Sequence, residues 1–133
     1  MSAVPGSGAG FVPTDEDVAS VLAWFEQWDA LAVAKDVEAM ADMALFPVNA
    51  VTGGSAQSWD RARFLTDMRA ALGDGDVRME SVRTPVFISA DLVFVITDAT
   101  ITADDFSQVV RYGDLLVKTD GKWLFQTMAQ GGW

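Results

Sequence analysis

Arg83, Asp98 and Arg111 are residues whose types and spacing could do chemistry together. The C-terminal half reads as strands joined by tight turns at Ala90-Asp91, Asp104-Asp105 and Asp120-Gly121. Opposed positions in a two-residue hairpin sum to a constant. Those turns set Arg83 opposite Asp98, Asp98 opposite Arg111, and Arg111 opposite Gln130. The result is a polar row across strands rich in Val, Ile and Phe. A carboxylate between two cations has its pKa lowered and is a poor base near neutral pH. Two readings of the row stand side by side. In one, Asp98 neutralises both arginines and clamps three strands. In the other, surplus positive charge in a dry pocket receives a carboxylate or an enolate-like oxygen, which suits the planar donor fork of Arg.

The rest of the inventory narrows the chemistry. The 133 residues contain no Cys and no His. That removes thiolate nucleophiles, disulfides, cysteine metal sites and a Ser-His-Asp triad. The acidic run Asp15-Glu16-Asp17 reads as dipole compensation at a helix start. Gly73-Asp74-Gly75-Asp76 and Asp104-Asp105 read as turns without calcium-loop spacing. No Gly-rich phosphate loop follows a strand and opens a helix. No cofactor and no metal are expected. A net charge of −10 and a pI near 4.1 argue against nucleic acid and anionic membrane surfaces as partners. No apolar run approaches the ~20 residues of a membrane span. Met1 to Pro13 is a Gly, Ala, Ser and Pro tail without signal-peptide character. A cytoplasmic location is the default expectation.

Residues 14–133 must then be the single domain that positions the row. With 50% hydrophobic residues, it can build one core. Thr14 to Ala34 reads as a first helix with Thr14 at its N-cap. Its stripe runs through Val18, Val21, Leu22, Phe25 and Trp28, widened by Trp24 and Leu31. Trp24 and Trp28, one turn apart, read as core packing or as an aromatic pocket wall. Asp36 to Ala44 is a second, shorter helix, and Val48 to Thr52 a short strand before the Gly53-Gly54-Ser55 turn. A third helix starts at Ser58 or Asp60 and runs to Leu72, where Gly73 stops it. Trp59 reads as a pocket-mouth cap or a staple contact. From Val77 the pattern turns to strands: 77–89, 92–102, 107–118 and 123–130.

That order resembles the nuclear transport factor 2-like superfamily, the cone-shaped α+β group that includes ketosteroid isomerase and the SnoaL-like polyketide cyclases. The segment Val117-Lys118-Thr119-Asp120-Gly121-Lys122-Trp123-Leu124-Phe125 resembles a hairpin near the end of many members. Trp24-Phe25-Glu26-Gln27-Trp28 is similar to their aromatic-rich first helix, and Asp36-Val37-Glu38-Ala39-Met40 to the start of the second. The resemblance implies three N-terminal helices on one face of a curved antiparallel sheet, enclosing a conical, mostly apolar pocket. Aligning the last hairpin on it points Leu124, Gln126, Met128, Gln130, Arg111, Gly113, Asp98 and Arg83 inward. It points Val95, Tyr112, Leu116, Trp123 and Phe125 outward.

On that alignment the ligand-binding set is Arg83, Asp98, Arg111, Gln126, Gln130 and Trp28. The ligand implied is small and hydrophobic or carboxylate-bearing. The isomerase set is not carried over. The first strand has no acid, Tyr112 points outward, and the position of the oxyanion acid falls near Gly113, with Asp114 on the opposite face. The function implied is a small-molecule-binding protein of isomerase, cyclase or dehydratase type without His. The alternative is a non-catalytic dimeric structural or interaction module. Both sheet faces are substantially apolar, which implies that both are covered and that the chain forms a homodimer.

Overall fold

The computed structural model describes residues 10–73 and 75–131. Most of the expected tail, Met1 to Ala9, lies outside them. Helix α1, Asp15–Ala34, opens with a reciprocal cap in which the Asp17 amide donates to Thr14 Oγ1 and the Thr14 amide to Asp17 Oδ2. It ends at Lys35, which adopts a left-handed conformation. Lys35 Nζ then donates to the carbonyls of Gly73 and Gly75, at 2.8 and 3.0 Å. Helix α2 is shorter than expected, Val37–Ala41, and strand β1, Ala44–Thr52, starts earlier. Residues expected in the turn and third helix form a strand instead, β2, Ser55–Trp59, which pairs back on β1. Helix α3, Arg61–Leu72, begins at Asp60, whose side chain accepts from the Arg63 amide. Trp59 is neither lid nor staple at a pocket mouth but part of the core.

Strands β3 (Arg78–Ser89), β4 (Leu92–Ala103), β5 (Phe106–Thr119) and β6 (Lys122–Gln130) form the expected meander. The sheet order is β2-β1-β6-β5-β4-β3, antiparallel except that β1 runs parallel to β6. Three helices pack on one face. Phe25, Phe64, Phe125, Leu116, Val93 and Val95 are fully buried between the layers, each such side chain contributing about 1.5–3 kcal/mol. Among the described residues, no helix is long and apolar enough to cross a membrane.

Two irregularities overturn part of the polar row, and β4, β5 and the start of β6 turn the opposite face to the helices from the one expected. The β3–β4 register shifts between Phe87 and Ser89, so Arg83 lies opposite Thr97 and Asp98 opposite Val82. The β5–β6 register shifts between Leu115 and Leu116, where Gln126 is the extra residue. Tyr112, not Arg111, therefore faces Gln130. The β4–β5 hairpin keeps the expected register, with Asp98 opposite Arg111. The helix-covered face carries Trp123, Phe125, Leu116 and Val95, which were expected outside. The open face carries Asp98, Arg111, Phe94 and Val86. The physical reason is bulk: the helices need the largest apolar side chains beneath them, and Trp123 and Phe125 outweigh Leu124 and Gln126.

Candidate functional site on the helix-covered face

Arg83 reaches this face from the middle of β3. Its side chain is 7% exposed. One edge of its guanidinium is forked onto Asp29 of α1, Nη1 to Oδ2 and Nη2 to Oδ1, the latter at 3.0 Å. Nε donates to Thr97 Oγ1 at 3.2 Å, and Nη2 also donates to the Tyr112 hydroxyl at 3.2 Å. The guanidinium carbon lies 4.3 Å from the Phe25 ring centroid, a cation–π contact. Burial works against the charge, but the Asp29 and Tyr112 interactions outweigh it and raise the Arg83 pKa further. Thr97 is the one fully buried polar residue among those described, and it completes the set of acceptors around the guanidinium.

Tyr112 and Asp114 follow on β5. They are two positions apart, so both point to the same face, about 6–7 Å apart along the strand. The Tyr112 hydroxyl takes a hydrogen bond from Arg83. Its own proton points to the Met79 sulfur, at 3.9 Å, a weak acceptor. Burial pushes the Tyr112 phenol up, against the pull of Arg83. Asp114 retains some accessible surface, although protein surrounds it. That burial raises its carboxyl to about 7, with Arg83 opposing and Asp29 reinforcing the rise. A carboxyl poised there exchanges protons at neutral pH.

The residues expected from the sequence divide between the faces. Arg83, Gln130 and Trp28 share the helix-covered side: Gln130 is opposite Tyr112, and Trp28 stacks on Trp24 at 5.4 Å and meets Phe125 edge-on at 4.8 Å. Gln126 sits at the bulge and donates to the Pro47 carbonyl at 3.0 Å, which ties β6 to β1. Asp98 and Arg111 lie on the open face, forked at 2.6 and 3.1 Å. Arg111 holds the Asp98 carboxyl below its ordinary range. Sequence reasoning missed Asp29, Tyr112, Thr97 and Asp114. The two-residue spacing of Tyr112, Asp114 and Leu116 was the available signal, since Leu116 is far too apolar for an open face.

No protein-family sequence model matches the chain, and no curated protein sequence does. Solved structures do. Aln2 from a Streptomyces species superposes with a TM-score of 0.74 at 16% identity, over 90% of this chain and 92% of that one. An inferred dehydratase of the NTF2-like family from Streptomyces avermitilis gives 0.73 at 15% identity, over 88% and 96%. An NTF2-like protein of unknown function from Pseudomonas putida gives 0.72 at 10%, over 87% and 86%. At these identities the likeness establishes the fold, which is nuclear transport factor 2-like.

Proposed function

With the nuclear transport factor 2-like fold as premise, we propose that the chain binds a small neutral molecule on the helix-covered face and moves a proton next to its carbonyl group. The observation that carries this reading is the shared face of Tyr112 and Asp114, with Arg83 behind the tyrosine. Tyr112, polarised by Arg83, donates to the carbonyl oxygen and stabilises negative charge as it develops there. Asp114, ionised, takes the proton from the adjacent carbon. The electrons of that C–H bond become the enolate. Protonated Asp114 then returns the proton to another carbon, which is an isomerisation, or to a departing hydroxyl, which is a dehydration. The spacing suits a carbonyl oxygen at one residue and a carbon beside it at the other. Fold likeness to an inferred dehydratase supports the same class by analogy.

Charge favours a neutral ligand. Asp29 already occupies Arg83, and Asp114 adds negative charge when it ionises. A carboxylate-bearing ligand would meet no unpaired cation in this set. A panel of ketones with acidic α-hydrogens, followed in D₂O by loss of the α-proton NMR signal, tests the reading. Acceleration is expected by the protein, rising with pH through about 7. It should be lost in Asp114→Asn and fall by about 10²-fold or more in Tyr112→Phe. Exchange at the protein-free rate for every ketone would overturn it.

A second reading concerns assembly. The open face exposes Val82, Val86 and Val109, at 69%, 49% and 78%, beside Phe94 and the exposed Asp98–Arg111 pair. A second copy packed face to face would cover this surface, and the two-fold axis would let each Arg111 approach the partner copy's Asp98. Exposed apolar side chains grouped on one sheet face favour a cover of this kind. Light scattering at micromolar concentration should give twice the chain mass.

A further inference from the structure

The Tyr112 hydroxyl has one proton to give, and in this structure that proton faces a thioether. Arg83 Nη2 donates to the hydroxyl oxygen at 3.2 Å, and the hydroxyl donates to the Met79 sulfur at 3.9 Å. A thioether is a weak acceptor on a flexible side chain. A ligand carbonyl that needs the same proton displaces it at little cost. Met79 is the second residue of β3, the edge strand of the sheet, and lies opposite Ile101. It shares the face of Arg83, four residues further on. Its exposure is 38%, whereas Met40, Met43 and Met128 are buried and Met68 packs against the core. An exposed thioether is open to oxidation. Among the described methionines, Met79 is therefore the one that an oxidant in solution reaches first.

We propose that Met79 is a peroxide-sensitive modification site that closes the Tyr112 site: its sulfoxide captures the hydroxyl proton that the thioether holds only weakly. A sulfur lone pair takes one oxygen from hydrogen peroxide. The S–O bond forms as the O–O bond breaks, the sulfur is oxidised by two electrons, and the second oxygen leaves as water. The new oxygen lies between sulfur and hydroxyl. There the 3.9 Å gap gives way to the roughly 2.5–3.0 Å of an O–H···O bond. A sulfoxide oxygen is a strong acceptor, so it competes with a ligand carbonyl for Tyr112 where the thioether yields. Enzymatic reduction of the sulfoxide restores the thioether, which makes the closure reversible. The capture of the hydroxyl stands on geometry alone. The loss of activity rests on the reading of Tyr112 as the donor to a carbonyl.

Tyr112 is the only tyrosine in the chain, so ¹³Cζ-tyrosine labelling of the full chain gives one resonance that reports on it alone. Dilute hydrogen peroxide followed by peptide mass mapping should convert Met79 before Met40, Met43, Met68 and Met128. The Tyr112 resonance should shift in step with that conversion. Its phenol titration should move up by about one pH unit, the worth of one neutral hydrogen bond from the un-ionised form. Met79→Gln, whose carboxamide oxygen stands in for the sulfoxide without any oxidant, should reproduce both changes. Met79→Leu keeps the bulk without the sulfur, and its Tyr112 resonance should stay still under peroxide. Exchange of the α-proton of a responsive ketone should fall about tenfold in the oxidised chain and in Met79→Gln. A methionine sulfoxide reductase should restore it in the oxidised chain. An oxidised Met79 with an unmoved Tyr112 resonance would overturn the inference. So would earlier oxidation of the buried methionines, the same peroxide shift in Met79→Leu, or undiminished exchange by the oxidised chain. If no ketone exchanges even with the untreated chain, the proton-transfer reading fails, and the Tyr112 resonance still decides whether oxidised Met79 captures the hydroxyl.

Discussion

Two Arg–Asp pairs cross this molecule with nearly the same geometry and opposite surroundings. Arg83 forks onto Asp29 beneath the helices, with side chains 7% and 34% exposed. Arg111 forks onto Asp98 on the open sheet face, at 71% and 46%. The first pair joins elements far apart in sequence and orders Thr97 and Tyr112 around it. The second joins adjacent strands and holds nothing else. Hydrogen-bond distance does not distinguish them; solvent does. A pair held out of water loses its hydration on forming, so each partner depends on the other. A pair in water is screened and is close to dispensable.

Breaking the buried pair should therefore give the largest effect. Asp29→Ala leaves Arg83 buried and uncompensated. Urea unfolding should show a loss of about 2–4 kcal/mol, below the full cost of a dry pair because Asp29 retains some solvent. The double variant Asp29→Leu/Arg83→Met should recover much of that loss, while abolishing any role of Tyr112 that needs the Arg83 hydrogen bond.

Asp114 sharpens the comparison through pH. Its folded pKa of about 7 lies above its ordinary 3.8. Between those values the folded chain holds a proton that the unfolded chain has lost. Stability from this group is therefore full below about pH 4, declines as pH rises towards 7, and then levels. The decline should amount to about 2–4 kcal/mol and should vanish in Asp114→Asn. Asp98 has the opposite sign. Its pKa is lowered, so its contribution is present above its ordinary range and is lost only as pH falls below it.

Much of the architecture was legible in the sequence because it rests on local signals. The Thr14 cap, the Gly73 stop, the Asp120-Gly121 turn and the strand periodicity after Val77 all mark their elements correctly. The Asp98–Arg111 pairing was legible for the same reason, since an uninterrupted hairpin fixes its own register. The site was not. Ile88 and Gln126 each insert one residue that no local signal announces, which moves Arg83 and Gln130 to the side of Tyr112, and with both faces apolar the alternation does not say which one the helices cover. The partnership of Arg83 with Asp29 joins residues 54 positions apart, beyond the reach of hairpin arithmetic. Only the packing of α1 onto the sheet brings them together.

Gly113 tests the open face in an intermediate range. The Phe94 ring lies across it, so a Cβ there would collide with the ring's far edge. Gly113→Ala should cost about 1–3 kcal/mol by overpacking, read from the thermal midpoint. Phe94→Leu should relieve part of that cost in the double variant. Gly113→Ala should leave the Asp114 pH dependence in place, because Gly113 points away from the buried pair.

The smallest effect belongs to Asp98→Ala. If exposure governs these pairs, urea unfolding of the isolated chain should be unchanged within error, since Arg111 returns to water when its partner is removed. A marked loss of intrinsic stability would mean that the open face is drier than its accessibility indicates, and the contrast with Arg83–Asp29 would fail. The assembly reading adds a separate outcome. If the proposed face-to-face dimer brings Asp98 of one copy to Arg111 of the other, removing it should weaken dimerisation most at low salt, where screening is least. Sedimentation at low and high salt separates the two effects, because a merely exposed pair would leave the dimer's salt dependence unaltered.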